Sequence, residues 1–143
     1  MKMFKTAAVC LFNQLCINIP LAYVAYPLYV SRGMSSLPAD IPTLHIFLCH
    51  MSVIAAVEEI GFYYGHRLMH VPFFYKKLHK QHHEWTAPVS WVAIYADPIE
   101  HVACNLAPVM LGPWLCNSHV AIYWFWLWLA VFVTIQVRTK RAE

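Results

Sequence analysis

The stretch EEIGFYYGHRLMHVPFFYKKLHKQHHEWTAP, Glu58 to Pro88, places five histidines within eighteen residues: His66, His70, His79, His82 and His83. They read as His-x-x-x-His and then, after a break at Pro72, as His-x-x-His-His. Neutral imidazole is the commonest metal-ligand side chain, and a solvated surface has no need of so many at regular spacing. At 100° per residue, His66 and His70 lie about 40° apart on one helix face, one turn from each other. Pro72 biases Val71 away from the α region, so this helix is predicted to end near His70, and Pro72 suits the first turn of a new one. On that second helix His79, His82 and His83 span an arc of about 100°, with Lys77, Lys80, Gln81 and Glu84 on the other side. Two short helices can thus turn five imidazoles towards one centre.

The segments around this cluster are apolar enough for a bilayer. The chain of 143 residues is 60% hydrophobic and 12% charged, where a soluble domain runs near a quarter charged. Ala7 to Val30 is uncharged and long enough to cross about 30 Å of hydrocarbon. It reads as a retained anchor rather than a cleaved signal, because it exceeds a signal core and lacks a small-x-small cleavage site. Residues 1–40 are thus expected to form an N-terminal membrane anchor and a turn-rich loop. A second uncharged run, Ile41 to Val57, continues its helical pattern through Glu58 and Glu59. From Leu44 to His70 that helix would be about 40 Å long, so its histidine end should emerge at the membrane surface. Val102 to Leu115 carries Pro108, Gly112 and Pro113 and is too short for a straight span, which suggests a kinked or re-entrant element. Val120 to Val137 is uncharged and aromatic-rich, and should span. The expected fold is all-α: an integral membrane protein of three to four membrane helices with a short cytosolic, histidine-rich helical cap.

Charge orients this topology. Lys2 and Lys5, then Arg67, Lys76, Lys77 and Lys80, then Arg138, Lys140 and Arg141 fall on one side if the segments form two hairpins. The positive-inside rule makes that side, with the histidines, cytosolic. A formal charge of +3, with scattered cations, gives no nucleic-acid partner. Cys10, Cys16, Cys49, Cys104 and Cys116 are odd in number and include no Cys-x-x-Cys pair, so they read as reduced thiols. His45, His50 and His119 read as isolated polar residues, and Tyr63, Tyr64, Trp85 and Trp91 as interfacial packing.

Other chemistries fit less well. Bis-histidine haem ligation uses two axial positions, whereas adjacent His82 and His83 suit a centre with many ligands. The zinc-protease pattern His-Glu-x-x-His is absent, as are a Ser/His/Asp or Cys/His nucleophile pattern and a phosphate-cradling glycine loop. Catalysis is therefore expected from the metal ligands alone. Ligating histidines usually donate their other N–H to a carboxylate or carbonyl. Glu59 falls about 20° from the His66 stripe and is the first candidate for that role.

Taken together, Glu58 to His70 and Tyr75 to Pro88 resemble the two histidine boxes of the fatty acid hydroxylase/sterol desaturase superfamily. The likeness is greatest to its 4-methylsterol oxidase-like branch, which includes fatty acid hydroxylase domain-containing proteins, and covers roughly Ile41 to Val137. The resemblance implies a membrane enzyme of the endoplasmic reticulum that hydroxylates or desaturates a lipid or sterol with dioxygen. It further implies a di-iron centre, iron ligation by His66, His70, His79, His82 and His83, and an electron donor such as cytochrome b5 or its reductase. Oxidising an unactivated C–H bond needs a metal–oxygen oxidant that no side chain supplies.

Two positions depart from the family pattern. A third box of the His-x-x-His-His type follows the last membrane helix in relatives, whereas no histidine here follows His119. Asp97, in Ala96-Asp97-Pro98, stands where the branch has histidine; it could ligate iron through oxygen or orient His101. Residues 41–143 are accordingly read as a partial, truncated domain that binds at most one metal by itself. The alternative reading is a catalytically deficient isoform that acts as a non-enzymatic metal- or partner-binding membrane protein.

Overall fold

The computed structural model describes residues 2–85 and 94–140, and these hold helices and turns with no strand among them. Four helices make the frame: α1 (Lys2–Ser31), α2 (Leu44–Met69), α3 (residues 98–115) and α4 (Val120–Lys140). Trp91 and Arg141 lie outside the described residues, as do the side chains of Arg138 and Lys140.

α1 and α2 are long and apolar enough to cross a membrane, while Val120–Thr134 is a shorter apolar stretch. Only 11% and 6% of the most apolar windows of α1 and α2 are buried within the protein. The core helix of a soluble domain would be mostly buried, so these faces point to lipid. Tyr23, Leu48 and Ile60 are among the large side chains left outside.

The sequence signals for helix ends hold locally. α2 stops at His70, and Val71 is extended at φ −62°, ψ 135°, as the ring of Pro72 requires. α1 ends at Gly33, whose φ of 102° suits a residue without Cβ. The Gly33 and Met34 amides donate to the carbonyls of Val30 and Tyr29 at 3.0 and 3.1 Å. Asn117, at φ 46°, closes α3 in the same left-handed region. Arg32 Nε donates to Asn117 Oδ1 at 3.2 Å, and the Val120 amide donates to Ser35 O at 2.9 Å. These bonds gather both short loops at the end of the molecule remote from the histidine boxes.

The segment expected to kink or re-enter is a helix that leads from the histidine end back to those loops. It packs along α2 with very little space between backbones. A Cβ added at Gly112 would stand 2.9 Å from Ile54 Cα, and one at Gly61 would stand 3.0 Å from Pro108 Cβ. Ile54, Ile122 and Trp126 form the buried cluster beside this contact. Small residues let helices approach closely where no hydrophobic effect drives them together. Gly112→Ala is therefore expected to lower stability by about 1–3 kcal/mol through overpacking. A thermal melt in detergent checks this; an unchanged midpoint would mean that the helices separate without cost.

Both α1 and α3 contain π-helical turns, Asn13–Asn18 and His101–Leu106. Each ends two residues before a proline, Pro20 or Pro108. Proline has no N–H and its ring crowds the carbonyl four residues back, a conflict that a wider turn relieves. The two turns meet across the interface at Asn18 and His101, 2.8 Å apart.

Candidate metal centre

The end of α2 presents His66 and His70 as expected for i, i+4 spacing, and their Nε2 atoms are 3.1 Å apart. The next segment departs from one regular helix. Pro72–Phe74 forms a single α turn, Tyr75–His79 a π turn and His82–Glu84 a 3-10 turn. This mixture of turns carries His83 back onto His79, with their Nε2 atoms 2.9 Å apart. One ligand atom from each of His66, His70, His79 and His83 lies within 4.8 Å of the other three.

Four of the five expected ligands thus converge. His82 stands beside them, its ring stacked on His79 at a centroid distance of 5.4 Å, but outside the quartet. The arc of about 100° assumed α geometry throughout, and the π and 3-10 turns change that register. Phe62 stacks on His66 at 5.6 Å and Tyr75 on His70 at 5.9 Å, walling the ring faces.

The site is half in and half out of the protein. His79 is fully buried, whereas His70 and His83 are exposed. Burial and the four surrounding imidazoles hold His79 far below the ordinary histidine range, to about 3. It therefore stays neutral, which is the state a metal ligand needs.

The group behind His79 is Glu100, which the sequence reading did not single out. Its Oε1 is 2.6 Å from His79 Nδ1, and both side chains are buried. Burial, with Asp97 nearby, pushes the Glu100 carboxyl up to about 7. The sequence did carry one signal: Asp97 and Glu100 are the only charged residues between Glu84 and Arg138. A carboxylate in so apolar a stretch asks for a partner.

The three residues expected behind the ligands have other places. Glu59 has the right angle but lies exposed two turns along α2, about 10 Å from His66 along the axis. Asp97 caps α3 instead, its Oδ1 accepting from the Ile99 amide at 2.9 Å. His101 is engaged at both ring nitrogens, Nε2 by Asn18 Oδ1 at 2.8 Å and Nδ1 by Asn105 Nδ2 at 3.3 Å. Asn105 Nδ2 can only donate, so Nε2–H must be the donor to Asn18, and no lone pair remains for a metal.

α1 holds the far side of the histidine turns. Thr6 Oγ1 accepts from Trp85 Nε1 at 3.0 Å, and Lys2 Nζ donates to Glu84 O at 2.6 Å. Tyr95 Oη donates to Glu84 Oε2 at 2.9 Å, while Lys5 reaches the other carboxylate oxygen at 3.4 Å. Lys2 and Lys5 thus share the histidine end, as the charge pattern required.

The residues present fit a metal of the imidazole-binding kind. Four neutral-capable rings bring nitrogens together, and the one buried ring has a carboxylate at its other nitrogen.

Residues 51–140 match the family profile described as fatty acid hydroxylase. The human fatty acid hydroxylase domain-containing protein 2 is 40% identical over 133 residues, which are 93% of this chain and 40% of that protein. Fatty acid hydroxylase ahd1 of Mycosarcoma maydis is 34% identical over 120 residues, 84% of this chain and 31% of the relative. Methylsterol monooxygenase 2-1 of Arabidopsis thaliana is 32% identical over 133 residues, 92% of this chain and 48% of the relative. The chain spans less than half the length of these relatives. No solved structure matches it.

Proposed function

Because the chain belongs to the fatty acid hydroxylase family, a family of lipid-modifying oxidoreductases, we propose that it provides the iron-binding part of a membrane lipid oxygenase. The reaction would be hydroxylation of a fatty acyl chain or sterol, using dioxygen and an electron donor of the cytochrome b5 or reductase class. The observation that carries this reading is the convergence of His66, His70, His79 and His83 at the end of a lipid-facing helix.

Bound iron would supply the oxidising power that an unactivated C–H bond demands. The residues do the rest. His66 and His70 ride on α2, so their spacing is set by a regular helix rather than by a loop. His79 contributes the buried side of the site, where water is excluded. His70 and His83 form its open side, through which a substrate could approach. The apolar face of α2, with Phe62, Tyr63 and Tyr64 exposed just below the histidines, offers a lipid tail a path from the bilayer. The charge pattern supports a cytosolic histidine end, and the family likeness supports the endoplasmic reticulum.

The test is metal content. The full chain, purified in detergent without added chelator and loaded anaerobically with iron(II), is expected to retain close to one equivalent after desalting. His66→Ala with His70→Ala should abolish retention, and His119→Ala, at the opposite end, should leave it unchanged. Equal loss from both changes would trace the effect to misfolding and remove support from the ligand assignment.

A further inference from the structure

We propose that Glu100 is the positioning residue of this centre, holding His79 with its proton on Nδ1 and its Nε2 lone pair turned into the quartet. This rests on the reading that the quartet holds a metal. The contact is short, 2.6 Å, and the two side chains are 0% and 4% exposed, so water cannot substitute for either partner. One proton lies between Nδ1 and Oε1. When Nε2 serves as a ligand the proton must stay on Nδ1, which then donates to the carboxylate. Such a partner fixes the ring's orientation and raises its basicity as a ligand.

Two features set Glu100 apart from an ordinary buried carboxylate. Its second oxygen, Oε2, is buried with no hydrogen-bond partner among the described residues. Among the described residues, the carboxylate is thus directed at a single ring. Its place is also fixed from both sides. Asp97 caps the helix start one turn before it, Pro98 sets the first helical residue, and His101 next to it is tied to α1 through Asn18. Glu100 is thus presented by rigid elements to the one histidine that is fully buried.

The experiment titrates the full chain in detergent with Co2+, read by visible absorption and calorimetry. Glu100→Gln keeps shape and removes charge. It is expected to weaken Co2+ binding by about 10–100-fold, as loss of such partners typically does, and to shift the absorption bands. In a His79→Ala background the same change should have no further effect, because Glu100 acts only through that ring. Nitrogen-15 shifts of His79 in the Zn2+-loaded wild type give a second readout that needs no variant, and should report Nδ1–H. Wild-type affinity and spectrum in Glu100→Gln, equal weakening in the His79→Ala background, or a proton on Nε2 would each overturn the proposal. If the wild type itself fails to bind Co2+ or Zn2+, it is the metal reading that falls.

Discussion

Replacement of His79 by alanine is expected to weaken metal binding strongly and to destabilise the fold together, a double effect that no other histidine of the cluster should show. His79 is the only fully buried member of the quartet. Its removal opens a void and strips Glu100 of the one partner its carboxylate has among the described residues. Leaving a buried group without its hydrogen-bond partner costs about 1–3 kcal/mol, and more where it is charged. Metal affinity should fall by more than ~100-fold, since even a partner behind a ligand is worth 10–100-fold. His70→Ala removes an exposed ring, so it should lower affinity with little change in melting temperature. His82→Ala should leave the first equivalent of metal in place, because His82 stands outside the convergent four. Melting curves and iron or cobalt retention on the three variants separate these outcomes. A His82→Ala protein that loses metal as completely as His79→Ala would show that the quartet is misassigned.

The second large effect is expected at a residue outside the histidine quartet. Asn13 is fully buried in the π turn of α1, and its Nδ2 donates to the carbonyls of Ile94 and Ala96 at 3.0 Å each. Those carbonyls flank Tyr95, which holds Glu84, and lead directly into the start of α3. Asn13→Ala leaves two acceptors without a donor and should cost about 2 kcal/mol. Asn13→Asp should be worse, above about 3 kcal/mol, because it sets carboxylate oxygens against two carbonyl oxygens. The order of melting temperatures, wild type above Ala above Asp, is the readout; an aspartate variant as stable as wild type would mean that α1 does not hold this segment.

The sequence made the frame legible where the determinants are local. Pro72 marked the end of α2, the spacing of His66 and His70 put both on one face, and the lysines placed Lys2, Lys5 and the boxes at one end. Three things were not legible. The π and 3-10 turns between Tyr75 and Glu84 come from tertiary packing, and they decide that His83 rather than His82 joins the site. Glu100 reaches His79 across 21 positions of sequence, so a wheel drawn on α2 could only propose Glu59, a residue of its own helix. His101, a candidate in the sequence for a place behind the ligands beside Asp97, has its two nitrogens taken by asparagines of α1 and α3.

The π turn in α1 has a consequence best stated as rotation. Relative to a regular α-helix it holds one residue too many, and each residue turns a helix by about 100°. If the turn tightened to regular α geometry with every residue kept, the helix would stay continuous and its composition unchanged. Yet everything before the turn would swing about a quarter-turn around the axis. Lys2, Lys5 and Thr6, which now face Glu84 and Trp85, would point elsewhere. The surplus residue is therefore an angular setting: it aims the first turns of the chain at the far edge of the histidine cluster.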